Sequence, residues 1–171
     1  AYPMTPSTSI LHYLAKHKEK FNIVTFQPEN EIGVIGAAQG AAYAGVKTMV
    51  GTSGGGFALM TEHLSLAGQA EIPTIIVLSQ RPAPATGVPT YTAQGDLFFA
   101  LHAGHGDFPK IVVAPGDAEE SFYLTAEALN LAWKFQIPII ILSDKHLSES
   151  VFSAEFDEKK ENPKTRQKEK S

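Results

Sequence analysis

Three groups of residues have types and spacings that could do chemistry. The first is Glu31, which heads the run EIGVIGAAQGAAYAG. A carboxylate there has a plain structural use: it complements the positive end of a helix, worth about 0.3–1 kcal/mol. That use does not account for the residues behind it. Each glycine inside a helix costs about 1 kcal/mol, yet the run carries Gly33, Gly36 and Gly40. Gly36 and Gly40 bare one face, and Gly33, Ala37 and Ala41 bare another. Faces this bare imply close approach of another helix, a ligand or a second subunit.

The second group is Gly51-Thr52-Ser53-Gly54-Gly55-Gly56, between a strand pattern and a helix pattern. Consecutive glycines let the backbone approach a ligand and turn its amides toward it. The run also fits the G-x-S-x-G nucleophile elbow. A hydrolase would need Asp144 and His146, or Asp107 and His105, to complete a triad, and a larger sheet than this chain offers. A tight strand-to-helix turn without a ligand is the simpler alternative. No G-x-G-x-x-G stands at the first strand-to-helix turn, so a dinucleotide site is a poorer reading still.

The third group is Arg81 in SQRPAPATG, the only arginine before residue 155. It leaves an apolar strand pattern and enters a proline-stiffened loop. A guanidinium there is suited to two-point capture of a carboxylate or phosphate, although a solvated loop arginine would look the same. The six histidines show no i, i+4 pair with a flanking acid, so the chain by itself is expected to hold no metal.

These residues sit where strands give way to helices. Short apolar, β-branched runs at 22–26, 47–51, 74–79, 110–114 and 138–143 read as strands. Runs such as IIVL and IIIL imply cover on both faces, the mark of a parallel sheet between helices. Helical patterns occupy 7–17, 30–44, 57–70 and 117–135. The last opens with Asp117 and Glu120 spaced as a capping box. Alternating elements imply an α/β fold with a doubly wound, mainly parallel sheet. Sites in such folds lie at the carboxyl ends of the strands. There the chain puts residues 27–31, 52–56, 80–96 and 144–146, and a loop as long as 80–96 is usually functional.

Composition narrows the classes. The 171 residues are 43% hydrophobic with a net charge of −4, which fits one globular domain and argues against a nucleic-acid binder. No cysteine is present, so the chain itself carries no disulfide and no iron–sulfur cluster. No apolar run is long enough to span a membrane, and a cytoplasmic protein is expected. Residues 155–171 hold six Lys/Arg and five Asp/Glu and read as a linker, a frayed helix or a tail. The turn-rich start Tyr2-Pro3-Met4-Thr5-Pro6 is expected to follow a first strand that the chain lacks.

Taken in order, YPMTPSTS (2–9), PENEIGVIGAAQGAAYAG (28–45), GTSGGGFALMTEHLSLAG (51–68) and SQRPAPATGVPTYTAQGD (79–96) resemble the pyrimidine-binding domain of 2-oxoacid:ferredoxin oxidoreductases. The α subunit of the 2-oxoglutarate type is the nearest likeness. The resemblance covers residues 1–152, leaving 153–171 as charged tail or linker.

It implies the thiamine diphosphate-binding fold and oxidative decarboxylation of a 2-oxoacid (2-oxoglutarate or pyruvate) to acyl-CoA, with ferredoxin as electron acceptor. By the same resemblance Glu31 contacts the aminopyrimidine N1′, where a carboxyl group favours the cofactor's imino form. Thr5 and Arg81 bind the 2-oxoacid carboxylate, with Thr86 in support. Pro3 and Ser53, Gly54 and Gly55 lie along the cofactor. The diphosphate and Mg2+ site and the iron–sulfur cluster would belong to a β subunit, so this chain would be half an active site, inactive alone. A half-subunit of another split thiamine enzyme, of transketolase or decarboxylase type, and a non-catalytic α/β ligand-binding domain are the alternatives.

Overall fold

A computed structural model describes residues 1–157. Most of the tail expected at 153–171 therefore lies outside the described residues. The chain opens with α1 (Thr8–Lys16) and the single turn α2 (Lys18–Phe21). Then come α3 (Glu31–Tyr43), β1 (Met49–Thr52), α4 (Gly54–Leu59), α5 (Thr61–Gln69) and β2 (Ile75–Gln80). After a long irregular segment come α6 (Leu97–His102), β3 (Ile111–Val113), α7 (Ala118–Phe135), β4 (Ile139–Asp144) and α8 (Lys145–Glu149).

The four strands form one sheet in the order β1-β2-β4-β3, every pair parallel. Residue alternation along the strands builds two cores. Ile76 and Leu78 of β2 and Ile140 and Leu142 of β4 face Val34, Ile35, Phe57, Met60, Leu64, Ala100 and Ala103 from α3–α6 and the residues flanking them. Ile75 and Val77, with Ile139 and Ile141, face Ala128 and Ala132 of α7 and Ile10 of α1. All six residues of β2 are buried, the apolar run Ile75–Leu78 as cover on both faces requires and the polar Ser79 and Gln80 at its carboxyl end with it. Each Ile, Val or Leu side chain so buried contributes about 1.5–3 kcal/mol against exposure.

Several expectations change. Residues 22–26 do not form a strand. Val24 is 94% exposed and Phe26 62%, and among the described residues no strand lies beside them to take their backbone hydrogen bonds. An apolar run without a partner strand gains nothing by extending. The helix expected at 57–70 starts three residues earlier, so Gly54–Gly56 form the first turn of α4, and it divides at Met60. Helices α2, α6 and α8 are short elements that the sequence pattern missed. The capping pair before α7 is present but displaced: Asp117 accepts the Glu120 N–H at 2.8 Å, while Glu120 accepts from Gly116, not Asp117. Among the described residues no helix is long and apolar enough to cross a membrane.

Candidate functional site

The carboxyl ends of three strands lie side by side, with Thr52 opposite Leu78 and Gln80 opposite Asp144. The segment between β2 and α6 is tied to this edge at both ends. The buried Gln80 side chain donates to the Ser143 carbonyl at 3.2 Å and accepts the Asp96 N–H at 2.9 Å. Farther along, Gln94 donates to Asp144 at 2.7 Å. Burial alone would push the Asp144 carboxyl up. The Leu147 N–H, the side chains of Gln94 and Thr92, and the charge of His146 outweigh it and hold that carboxyl below its usual range.

The segment carrying Thr5 is clamped between two of the groups singled out by sequence. Arg81 is 8% exposed, and its Nη1 donates to the Thr5 carbonyl at 2.7 Å. It is therefore a built-in side chain and not a solvated loop cation. The Met4 sulfur accepts the Gly56 N–H at 3.3 Å and the Thr52 hydroxyl at 3.7 Å. Ser7, also buried, folds back to the Met4 carbonyl through both its N–H and its hydroxyl.

The glycine turn forms a cradle. A Cβ on Gly54 would stand 3.0 Å from Asp96 Oδ2, and one on Gly55 3.0 Å from the Met4 methyl. A Cβ on Gly56 would collide with Thr52 and come within 2.7 Å of Glu31 Cγ and Oε1. Thus Glu31, Met4 and Asp96 all approach because these three positions lack side chains. Glu31 is 7% exposed as the first residue of α3. Asn30 caps that helix by accepting the Gly33 N–H at 2.9 Å, which leaves the Glu31 carboxylate without a hydrogen bond or ion pair among the described residues.

Gly54, Gly55, Arg81, Pro82, Asp96 and Phe99 are among the walls of a cleft of about 220 Å³. Asp96 is 8% exposed; its Oδ2 is fully buried and bonded to nothing. Burial without a partner pushes its carboxyl up from the ordinary carboxylate value.

The structure thus brings Thr5, Glu31, Arg81 and the turn Ser53–Gly55 to one end of the sheet. Pro3 is half-buried in the same N-terminal segment as Met4, whereas Thr86 is exposed and makes no hydrogen bond among the described residues. The Ser53 hydroxyl is fully buried and unpartnered, so no histidine stands ready to activate it and the hydrolase reading fails. The bare face of α3 is also partly used within the chain. His63 packs 3.3 Å from where a Gly36 Cβ would lie, and its ring bonds Gln39 at 2.9 Å, while Gly40 faces open space.

Sequence reasoning missed Met4, Gln80 and Asp96. Only Asp96 left a signal, an acid closing a proline-rich loop just before LFFAL, and that pattern reads as a helix cap. It is one by backbone position but its side chain caps nothing.

The family model for pyruvate flavodoxin/ferredoxin oxidoreductase, thiamine diphosphate-binding, matches residues 1–171. A 2-oxoacid:ferredoxin oxidoreductase subunit alpha of Saccharolobus solfataricus is 45% identical over 161 residues, covering 87% of this chain and 26% of that protein. A 2-oxoglutarate synthase subunit KorA of Archaeoglobus fulgidus is 44% identical over 153 residues, covering 88% and 44%. A solved 2-oxoglutarate:ferredoxin oxidoreductase from Magnetococcus marinus, with 2-oxoglutarate, coenzyme A and succinyl-CoA bound, superposes with a TM-score of 0.84. It is 46% identical and covers 86% of this chain and 26% of that one. The chain therefore spans about a quarter to under half the length of these relatives.

Proposed function

The chain belongs to the pyruvate flavodoxin/ferredoxin oxidoreductase family, in its thiamine diphosphate-binding part, and on that premise we propose that it is the pyrimidine-binding portion of a 2-oxoacid:ferredoxin oxidoreductase. The assembled enzyme decarboxylates a 2-oxoacid, of 2-oxoglutarate or pyruvate type, to its acyl-CoA and passes the electrons to ferredoxin. Residues 1–152 are the binding domain. The diphosphate and Mg2+ site and the iron–sulfur cluster are assigned to a β subunit, in keeping with the absence of cysteine from these 171 residues.

The observation that carries the reading is Glu31: a residue 7% exposed whose carboxylate has no partner among the described residues and sits against a glycine where any side chain would displace it. The Glu31 oxygens are not among the fully enclosed unpartnered atoms, so a group arriving from outside can reach a carboxylate that nothing within the described residues has claimed. The residues present fit thiamine diphosphate on that ground. When bound, the cofactor supplies the nucleophilic carbon that attacks the 2-oxo group and the electron sink that makes loss of carbon dioxide feasible.

The chain's own residues bind and orient. Glu31 holds a proton at the aminopyrimidine N1′, and the apolar residues Val34 and Ile35 behind it keep water out. Ser53, Gly54 and Gly55 give the ring backbone contact, alongside Pro3. Arg81 has one nitrogen fixed to the Thr5 carbonyl and presents its remaining donors to the substrate carboxylate, with Thr5 and Thr86 as hydroxyl partners.

Co-expression with a cysteine-rich partner subunit tests the proposal. Reduction of ferredoxin or a viologen should require 2-oxoacid, coenzyme A and thiamine diphosphate together, and neither subunit alone should suffice. A complex that binds no thiamine diphosphate would refute it.

A further inference from the structure

We propose that Asp96 is a further substrate-contacting residue of the cleft, its carboxyl group donating a hydrogen bond to an oxygen of the 2-oxoacid held by Arg81. The inference rests on the function proposed above, and it assigns a residue that the sequence left without a role.

Asp96 occupies the N-cap position of α6, where an aspartate ordinarily accepts a backbone N–H from the first helical turn. Its side chain makes no such bond. Instead it turns toward Gly54, and the missing Cβ there admits Oδ2 to a place where it has neither solvent nor partner. The placement is enforced by the backbone: the Asp96 N–H is fixed to Gln80, which is fixed in turn to Ser143 of the neighbouring strand. A carboxyl group pinned so firmly and bonded to nothing is a poor structural element and a good half of an interaction.

Its surroundings name the other half. Arg81 lines the same cleft, yet the two form no ion pair; among the described residues Lys145–Glu149 is the one such pair. A small ligand between them would meet a guanidinium on one wall and a carboxyl on the other. A 2-oxoacid carboxylate paired with Arg81 would repel an ionised Asp96, but burial favours the protonated form, which offers one O–H donor. Other titratable groups nearby in the fold are Glu31 on α3, Asp144 at the end of β4 and His102 at the far end of α6. Helix α4 contributes none, and residues 82–95 contribute only the Tyr91 phenol.

The test is made on the complex assembled with its partner subunit, with 2-oxoglutarate and pyruvate each tried as substrate. Asp96→Leu should raise the KM of the better substrate about tenfold or more, leave thiamine diphosphate affinity within about twofold, and leave Tm equal or higher, because an orphan polar group has gone. Asp96→Asn keeps a donor and should hold the KM near wild type at neutral pH. It should also remove whatever pH dependence of KM the titration of the Asp96 carboxyl contributes.

An unchanged KM in Asp96→Leu overturns the inference, as does a wild-type pH profile in Asp96→Asn, or a lowered Tm with KM unmoved. If the wild-type complex turns over neither 2-oxoacid, the proposed function falls and this inference with it. If the wild type is active and only the variants behave as wild type, this inference falls alone.

Discussion

Helices α3 and α7 start with the same chemistry and put it to opposite uses. Before α7, Asp117 accepts the Glu120 N–H and Glu120 accepts the Gly116 N–H, both at 2.8 Å. All of this happens in solvent, and each acid is consumed in closing the helix end. Before α3 the cap is Asn30, a neutral residue that satisfies Gly33. Glu31, one position later, is therefore free to turn inward, where it is buried and unpaired. Both starts match the rule that acids favour helix N-termini. What separates the carboxylate proposed as functional from the structural one is whether the fold has already satisfied it.

The sharpest way to break that contrast is to remove the two acids in parallel. Glu31→Gln keeps shape and removes the carboxylate proposed to hold a proton, so turnover of the assembled complex should fall by about 10²–10⁴. Tm should stay or rise, since no internal bond is lost. Glu120→Gln should leave turnover unchanged. Equal kinetics for the two variants, measured by viologen reduction at saturating thiamine diphosphate, would erase the distinction drawn between them.

A gentler pair sharpens it. Asn30→Ala and Asp117→Ala each remove a cap and should each lower unfolding free energy by about 1 kcal/mol, read from urea denaturation. Only Asn30→Ala should also weaken thiamine diphosphate binding, because the freed Gly33 N–H then competes for the Glu31 carboxylate. Loss of cofactor affinity in Asp117→Ala would show that the cap effect is global.

The same distinction explains what the sequence could and could not reveal. Residues 74–79 and 22–26 have similar apolar, β-branched composition. The first is a strand buried over its whole length, while the second is exposed coil. Composition reports what a segment would gain from neighbours and not whether neighbours exist. The parallel sheet, its longer helices and the strand-end placement of Arg81 and the glycine turn were legible because they arise from periodicity and turn chemistry, whereas the strand expected before Glu31 is absent. Met4, Gln80 and Asp96 were not, since their importance lies in where side chains point: a sulfur on the Gly56 amide, an amide bracing a loop, an acid turned away from its helix. The bare face of α3 was legible as a pattern but ambiguous in use, and part of it is taken by His63 of the same chain.

The start of α8 lies between the two extremes and gives the smallest effect. Asp144 caps α8 through the Leu147 N–H at 2.8 Å and also receives Gln94 at 2.7 Å, so one carboxylate closes a helix and holds the segment between β2 and α6. Its pKa is depressed by these donors despite its burial. A depressed carboxylate contributes stability that is fully present above its unfolded value near 3.9 and is lost as pH falls through the lower folded value. Residues 82–96 should thus stay protected at neutral pH and loosen only below about pH 4. Hydrogen exchange of that segment between pH 3 and 5 would register the change. Asp144→Asn should flatten that pH dependence while leaving the exchange of α3 and α7 as it was. If the segment loosens equally with and without the carboxylate, the loop is held by packing, and Asp144 belongs with Asp117 among residues spent on their own helix.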